Sequence, residues 1–505
     1  MHSSEGGPEA AFCFQRLNRV GCSSFDHRPN FPTFTQTALM KRIFLTSLLI
    51  FIACIIHAQT YIAHVNLVDV INLKIESDET VEIVNGKILN VGKSSSIHIP
   101  EKATVIDGTG KYLIPGLVDA HVHFFQNGGL YTRPDAIDLK KYKPYDKEIE
   151  WTHAHMEDFL RRYIAAGITT VIDPGSTINF LIQRDTFKNK IYAPDIFMTG
   201  PLLTTYEPDA YKGLGHEEPF YFMQTEEDAR KHVDEELQYK PDFIKIWYIT
   251  GNNVDSSARA SSHLVKAVID EAHKHNLKVA VHATEKITAQ LAVENGADYL
   301  VHSVDDTTID DQFVQLLKQH HVVLCPTLIV ADGYIKTFAQ QYQPTETDKA
   351  LANPVTLKSI SELKDIPDTA FVHRVKQRAE KNLGRYAMAD SVMAVNLMKL
   401  VNAGVTIATG TDAGNIGTQH ASSYFTEIQL MQQAGMTVPQ ILQSSTINGA
   451  KVLGKQDLFG SIEKGKLANM VLLDANPLES LDNWRRIHLV INKGNAMKPS
   501  DILKQ

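Results

Sequence analysis

Cysteine is scarce in this chain, and most of it lies near the start. Of the four cysteines in 505 residues, Cys13, Cys22 and Cys54 fall early in the sequence, and Cys325 alone follows them. A single cysteine cannot form an internal disulfide, even in an oxidising compartment. A disulfide-stapled fold is therefore excluded for the body of the chain, whose hydrophobic content of 43% is ordinary for a protein with a full core.

The chain has no excess of positive charge, and several common functional motifs are absent from its sequence. The chain carries 50 Lys and Arg against 58 Asp and Glu, a formal net charge of −8. This balance gives no basic footprint, so nucleic acid is excluded as an expected partner. The sequence contains no P-loop, no Rossmann glycine pattern and no GxSxG motif, and the stretch beginning at His216 fails the HExxH spacing.

One apolar run stands near the start, at residues 43–56. It follows Lys41 and Arg42 and precedes Ala58, the pattern of a basic segment, an apolar segment and a small residue. That order is typical of a secretory signal peptide, and the run is shorter than the roughly 20 residues of a membrane span. We therefore expect a signal peptide at 40–58 and export to the periplasm or the extracellular space.

The residues before this run lack periodicity. Residues 1–39 contain Ser, Gly and Pro without a helical or strand pattern, so we interpret them as a non-native or disordered extension, with translation starting at Met40. A lipid anchor at Cys54 is the alternative, although Phe51 is a poor residue three positions before it. After cleavage the net charge is −10, and no stable membrane span is expected.

Two β-rich segments flank a long middle. Apolar and polar residues alternate in 60–111, which also contains an Asn85-Gly86 hairpin signal. A similar alternation returns within 453–505. We predict that these two segments form one small β-sandwich domain. The middle, 112–452, is predicted to be a separate barrel domain.

The middle of the chain alternates strands and helices. Eight strand patterns are followed by helical patterns, as in a (β/α)8 TIM-like barrel of the α/β class. The predicted strands are 116–123, 169–173, 195–199, 243–248, 278–282, 299–302, 322–326 and 405–412. The connection at 328–390 is unusually long, and connections of that length tend to be functional or to carry helices of their own.

Residues 113–123, LIPGLVDAHVH, carry the first chemical signal. Residues two apart on a strand point the same way, so His121 and His123 are predicted to project from one face. Neutral imidazole nitrogens are good ligands for zinc-like ions. A pair of surface or core histidines is the alternative, so the interpretation depends on whether other ligands lie nearby.

Other candidate ligands fall at the ends of predicted strands. A TIM-like barrel places its chemistry at the C-terminal ends of its strands. His282, His302 and Asp412 end the fifth, sixth and eighth predicted strands, and Lys245 lies toward the end of the fourth. Each histidine could instead be a core residue bonded to a carbonyl, and Asp412 could cap a helix. Their shared position favours one metal site.

Lys245 is the hardest of these residues to explain without a function. Lysine is almost never buried unless it is paired, and here Phe243, Ile244, Ile246 and Trp247 surround it in sequence. A buried lysine must lose its proton or gain a partner. Reaction with CO₂ would give a carbamate, which can bridge two metal ions.

The motifs together resemble the amidohydrolase superfamily. They are PGLVDAHVH, the IK pair of strand four, VHATEKITAQLAVENGADYLVHSVDD, GTDAG and GSIEKGKLANMVLLDANPL, and the resemblance runs from about residue 60 to 495. It is strongest to the imidazolonepropionase-related and Xaa-Pro dipeptidase-like members. The resemblance implies two divalent ions, of which zinc is the expected metal, bridged by carboxylated Lys245. The implied ligands are His121, His123, Lys245, His282, His302 and Asp412.

The resemblance also implies the reaction, with Asp412 moving the proton. We expect hydrolysis of an amide bond in a small peptide-like or cyclic substrate. A lactonase or phosphotriesterase on the same site, a mononuclear deaminase-type enzyme using His121, His123, His282 and Asp412, and a non-catalytic relative are the alternatives. Tyr248 and His420 are predicted to contact substrate, with ordinary loop packing as the alternative. A homo-oligomer is left open.

Overall fold

The computed structural model describes residues 59–504, so the predicted extension (1–39) and signal peptide (40–58) lie outside the described residues. The strands, in chain order, are β1 (Thr60–Asp69), β2 (Lys74–Val84), β3 (Lys87–Lys93), β4 (Thr104–Asp107), β5 (Tyr112–Pro115), β6 (Leu117–Asp119), β7 (Ile168–Asp173), β8 (Asp195–Met198), β9 (Leu202–Thr204), β10 (Phe220–Phe222), β11 (Ile244–Trp247), β12 (Val279–His282), β13 (Tyr299–Val301), β14 (Val323–Cys325), β15 (Thr406–Ile407), β16 (Met470–Leu473), β17 (Ile487–Asn492) and β18 (Asn495–Met497).

The helices cover the outside of the barrel strands and fill the long connection before β15. In chain order they are α1 (Tyr145–Ala165), α2 (Ile178–Arg184), α3 (Glu226–Leu237), α4 (Val254–Lys274), α5 (Lys286–Glu294), α6 (Asp311–Gln319), α7 (Val330–Phe338), α8 (Glu346–Leu351), α9 (Pro354–Ser359), α10 (Thr369–Ala403), α11 (Ser423–Ala434), α12 (Val438–Ser444), α13 (Ile447–Val452) and α14 (Pro499–Ile502). Within residues 59–504, no helix combines the length and the apolarity needed to cross a bilayer.

Strands from both ends of the described chain share one sheet of eight strands. Its order is β18-β17-β16-β5-β1-β2-β3, with β4 beside β1. The hairpin between β2 and β3 turns at Asn85 and Gly86, whose φ angles of 52° and 73° are those of a tight two-residue turn. The two β-rich ends therefore share one sheet: β16 pairs with β5, whose residues Tyr112–Pro115 lie just past the predicted boundary at 111, and Lys87 forms a bridge with Leu467.

This sheet curls over its own apolar cluster. Ile88 of β3 accepts a backbone hydrogen bond from Gly465 at 2.8 Å and donates one to Lys466 at 2.9 Å, which brings the edge strand back toward β16. Ile62, Val81 and other apolar side chains of β1, β2, β3, β5, β16 and β17 fill the space between. The sequence predicted a small sandwich. The structure builds it as one continuous sheet folded on itself.

Eight parallel strands, β6 to β8 and β11 to β15, form the TIM-like barrel. A sheet of β6, β7 and β8 is followed by a sheet in the order β10-β9-β11-β12-β13-β14-β15, in which the short strands β9 and β10 extend the sheet beyond β11. Backbone hydrogen bonds join the two sets of barrel strands on both sides: the Asp242 N–H, just before β11, donates to Met198 of β8 at 3.0 Å, and the Ala120 N–H, just after β6, donates to Thr409, after β15, at 2.9 Å. The largest apolar cluster packs the helices against these strands. The predicted α/β barrel with a β-rich domain is confirmed.

Most barrel strands are shorter than the sequence predicted. The first was predicted to run to His123 but ends at Asp119, and the eighth was predicted to reach Asp412 but ends at Ile407. Both segments continue in extended form, because Val122 and Ala413 still form an isolated parallel bridge. The candidate ligands therefore sit on short connections that leave the strand ends, close to the rigid sheet.

The long connection after β14 carries helices and packs tightly on the barrel. Gly333 of α7 lies so close to Gly417 that a Cβ on Gly333 would be 2.9 Å from backbone atoms. The Thr356 hydroxyl donates to Gln419 at 2.7 Å, and the Ser422 hydroxyl donates to Asp348 at 2.7 Å. This connection is therefore a fixed part of the wall above the strand ends.

Candidate metal centre

The structure brings all six predicted ligands to one cavity of about 340 Å³ at the C-terminal ends of the barrel strands. Each comes from a different strand end, except the two histidines that follow β6. The six are His121, His123, Lys245, His282, His302 and Asp412. Since parallel strands point the same way, their carboxyl ends meet at one rim, and side chains far apart in the sequence converge there.

The two histidines after β6 direct ring nitrogens toward each other. The Nε2 atoms of His121 and His123 are 3.1 Å apart. Nδ1 of His123 lies 2.6 Å from the carbonyl oxygen of Gly175, so Nδ1 carries the proton and donates it. Burial lowers the pKa of His123, but its contacts with Asp173 and Asp412 outweigh burial and raise that pKa to about 9, so a metal ion would bind Nε2 in place of a proton.

Asp412 faces both histidines. Its Oδ1 lies 3.3 Å from Nε2 of His121 and 3.1 Å from Nε2 of His123. Burial alone would raise the pKa of Asp412, but the positive charge that His121 and His123 can carry holds that pKa well below its usual range. Asp412 has a φ of 57°, in the left-handed region that non-glycine residues rarely adopt. The backbone is thus strained where it presents this carboxylate.

His282 and His302 form a second pair beside the first. Their ring centroids are 4.5 Å apart, and the His302 ring is 5.0 Å from that of His121. Nδ1 of His302 is 2.6 Å from the Thr327 hydroxyl, which fixes the ring orientation. Burial lowers the pKa of His302 to about 4 and that of His282 well below its usual value. Both rings are therefore neutral at physiological pH.

Lys245 stands in the wall with an unpaired amine. Its side chain is 1% exposed, and within residues 59–504 it has neither an ion pair nor a hydrogen bond. Because burial penalises the charged ammonium, the pKa of Lys245 is lowered to about 7. A substantial fraction of the amine is therefore uncharged and nucleophilic at neutral pH.

The donor set fits a divalent transition metal. Neutral imidazoles and a carboxylate are the ligands that zinc-like ions prefer. Ligand atoms of His121, His302 and Asp412 lie within 4.8 Å of one another. Nδ1 of His121 and Oδ1 of Asp412 are buried without a hydrogen-bond partner in the described structure, and buried polar atoms are rarely left so. A bound cation would satisfy such a carboxylate oxygen.

Asp119 ties the two ligand-bearing segments together, and the sequence reasoning did not single it out. Its carboxylate accepts the Thr411 hydroxyl at 2.8 Å, the Thr411 N–H at 3.0 Å and the His121 N–H at 3.3 Å. These bonds lock the strand that bears the histidine pair to the loop that bears Asp412. Its place two residues before His121, on the same face of an extended segment, was the available signal.

Tyr248 and His420 do not reach the cavity, in contrast to the sequence prediction. The Tyr248 hydroxyl donates to the carbonyl of Ala258 in α4, so the ring lies between strand and helix. His420 is buried behind the wall, where Nε2 is 2.9 Å from the carbonyl oxygen of Gln126 and the ring stacks on Phe124. Side chains alternate along a strand, and Tyr248 is three residues from Lys245, so it points the other way.

Other residues line the cavity instead. Arg133 donates to Asp135 through Nε at 2.8 Å and Nη2 at 2.6 Å, and through Nη1 to Asn415 at 2.5 Å. The Tyr334 hydroxyl donates to the same Asn415 oxygen at 2.6 Å, which ties α7 to the loop after β15. The apolar part of the wall includes Phe125, Leu202, Phe220, Trp247 and Val330. These residues come from loops, strands and helix α7 and share no sequence pattern, so sequence reasoning missed them.

Comparisons with known proteins show the family to which the chain is similar. Residues 112–497 match the model of the amidohydrolase family. An imidazolonepropionase of Fusobacterium nucleatum is 39% identical over 442 residues, which cover 79% of this chain and 84% of that protein. A Xaa-Pro dipeptidase, solved with methionine in its active site, superposes with a TM-score of 0.65 at 24% identity, covering 87% of this chain and 99% of that one. Molinate hydrolase superposes with a TM-score of 0.64 at 20% identity, covering 89% of this chain and 96% of the other.

Proposed function

Because the chain belongs to the amidohydrolase family, we infer that it is a metal-dependent hydrolase that cleaves carbon–nitrogen bonds of small substrates. The observation that carries this inference is the convergence of four histidines, a lysine and an aspartate in one cavity at the strand ends. We propose an amide bond in a small peptide-like or cyclic compound as the bond cleaved. A dipeptidase among the structural neighbours supports the peptide-like class.

We propose that the site holds two divalent ions, with zinc as the metal. The four histidines and Asp412 give five donor side chains, more than one tetrahedral ion needs. A carbamate on Lys245 would supply two more oxygen donors to the same site. It forms when the uncharged Nζ bonds to the carbon of CO₂ and releases one proton. The burial of an unpaired lysine amine supports this modification.

A divalent ion bound here would supply Lewis-acid activation of water and of the scissile carbonyl. We propose that the carboxylate of Asp412 accepts a proton as the water oxygen bonds to the carbonyl carbon. Asp412 then delivers that proton to the leaving nitrogen as the carbon–nitrogen bond breaks. The bonds from Asp119 to Thr411 and His121 keep this carboxylate in place.

A single-ion site is the second candidate, and one observation favours it. Ligand atoms of His121, His302 and Asp412 lie within 4.8 Å of one another, which is close enough for one ion to bind all three. Under this alternative Lys245 remains an unmodified amine, and His123 and His282 hold the neighbouring rings of His121 and His302 in position. Metal content distinguishes the two arrangements.

Metal removal tests the proposed function directly. Treatment with a chelator is expected to abolish hydrolysis, and added zinc is expected to restore it, because the activated water depends on the ion. The assay measures N-acyl amino acids, Xaa-Pro dipeptides, a lactone and an organophosphate side by side. Activity that persists in verified metal-free protein would contradict a metal-dependent reaction. Turnover of the lactone or organophosphate without any amide would replace the proposed substrate class.

We also propose that the protein is exported after cleavage near Gln59. The basic and apolar pattern at 41–56 supports this proposal. N-terminal mass spectrometry of protein from the periplasmic or extracellular fraction is expected to show a chain that begins near Gln59. Recovery of the chain from the cytoplasm with Met1 at its start would contradict export.

A further inference from the structure

The cavity wall contains a carboxylate, that of Asp305, which forms no ion pair within residues 59–504. Asp305 lies three residues beyond His302 and lines the cavity. Its N–H donates to the carbonyl of Thr284 at 2.9 Å, which fixes the backbone there. Within residues 59–504 its partly buried carboxylate forms no ion pair and no hydrogen bond with another side chain.

The groups around Asp305 are mainly acidic. Burial raises the pKa of Asp305 to about 6, and the negative charges of Asp306 and Glu285 add to that rise. Both neighbouring carboxylates already accept hydrogen bonds: Asp306 accepts the Lys286 N–H at 3.0 Å, and Glu285 accepts the Thr250 hydroxyl at 3.1 Å. The positive charge of Arg385 in α10 lowers the pKa of Asp305, but Arg385 makes no ion pair with Asp305. A cation placed at this wall would therefore be stabilised.

The positive charge elsewhere in the wall is already committed. Arg133 is buried, and Asp135 holds its guanidinium through two hydrogen bonds. Such a bidentate pair neutralises the arginine and fixes its geometry. The neighbouring surface of Leu202, Phe220 and Trp247 is apolar. Apart from the proposed metal ligands and polar side chains such as Gln126, Thr284 and Asn415, the wall thus offers an apolar surface and, within residues 59–504, one carboxylate without an ion pair.

We propose that Asp305 binds a cationic group of the substrate, an ammonium or a guanidinium, while the scissile amide lies at the six-ligand site. This inference rests on the proposed hydrolase function and names its substrate class. Asp305 is a specificity residue in this reading, because it contacts a part of the substrate that does not react. A cation of the substrate would give the carboxylate the partner that the protein does not supply.

A matched set of dipeptides tests the proposal with metal-replete enzyme. The set varies one residue among lysine, norleucine and glutamate, at each position in turn. At the position that faces Asp305, the lysine peptide is expected to exceed the norleucine peptide by about 10- to 100-fold in kcat/KM, mostly through KM, as for a hydrogen bond to a charged group. Asp305→Asn is expected to remove this preference. Asp306→Asn removes the same charge one residue away, outside the cavity lining, and is expected to keep it.

Direct binding separates this inference from the hydrolase function. Calorimetry with n-butylammonium and n-butanol is expected to show cation binding to the wild type and to Asp306→Asn, and none to Asp305→Asn. Cleavage of neutral and cationic peptides at equal kcat/KM, without cation binding, would overturn the role of Asp305 and leave the hydrolase intact. Cation binding that depends on Asp305, with no peptide cleaved, would support the cation site and count against the hydrolase. Should Asp305→Asn not fold, the wild-type comparison still decides, because a wild type without the lysine preference refutes the proposal.

Discussion

Asp412→Asn is expected to lower kcat and kcat/KM alike by about 10²–10⁴-fold, the usual contribution of a general base. The amide keeps the shape of the side chain and one oxygen that can coordinate, but it cannot accept a proton at neutral pH. The backbone bond from the Asp412 N–H to the His121 carbonyl at 2.7 Å does not depend on the side chain, so the loop is expected to hold its position. Steady-state kinetics on metal-replete protein give the measurement.

His302→Asn is the matched comparison for that variant. It removes a ring whose Nδ1 bonds Thr327, and it leaves the proposed proton carrier in place. We expect it to weaken metal retention first, so that excess zinc restores part of its activity, whereas zinc is expected not to restore Asp412→Asn. Near wild-type turnover by metal-replete Asp412→Asn would show that Asp412 is a ligand or a cap and that another group moves the proton.

Lys245→Met is expected to reduce the metal content from two ions to one per chain and to lower activity by about 10²–10⁴-fold, a loss of several kcal/mol of electrostatic stabilisation. Methionine fills a similar volume without a charge, so the buried site is expected to remain folded. Elemental analysis and steady-state kinetics measure the two effects. Labelling with carbon-13 bicarbonate is expected to give a carbamate resonance in the wild type and none in the variant.

Lys278→Met serves as the control for that experiment. Lys278 stands at the other end of the neighbouring strand, where Nζ is 3.5 Å from Asp298, and its loss is expected to change neither metal content nor turnover. One ion per chain in fully active wild-type enzyme would refute the two-ion site and leave the single-ion alternative.

Side chains two residues apart on a strand point the same way, and this alternation explains one correct and one incorrect prediction from the sequence. His121 and His123 lie two apart, and the structure brings their ring nitrogens within 3.1 Å, although β6 ends before them. The alternation of side chains continues past the end of β6 because the backbone stays extended through Val122. The same rule places Trp247 in the cavity and turns Tyr248 toward α4. The prediction for Tyr248 rests on its nearness to Lys245 in the sequence, and nearness does not give the direction in which a side chain points.

The sequence alone predicted the barrel, its eight strand positions and the six candidate ligands. These follow from local rules: hydrophobic alternation marks the strands, and parallel strands bring their carboxyl ends to one rim. Tertiary structure alone decided which side chains complete the cavity. Arg133, Asp135, Tyr334 and Asn415 come from two loops and helix α7 and meet through hydrogen bonds that no periodicity encodes. The unpaired carboxylate of Asp305 is likewise a property of its surroundings, because a sequence shows which groups are charged and not which of them lack a partner.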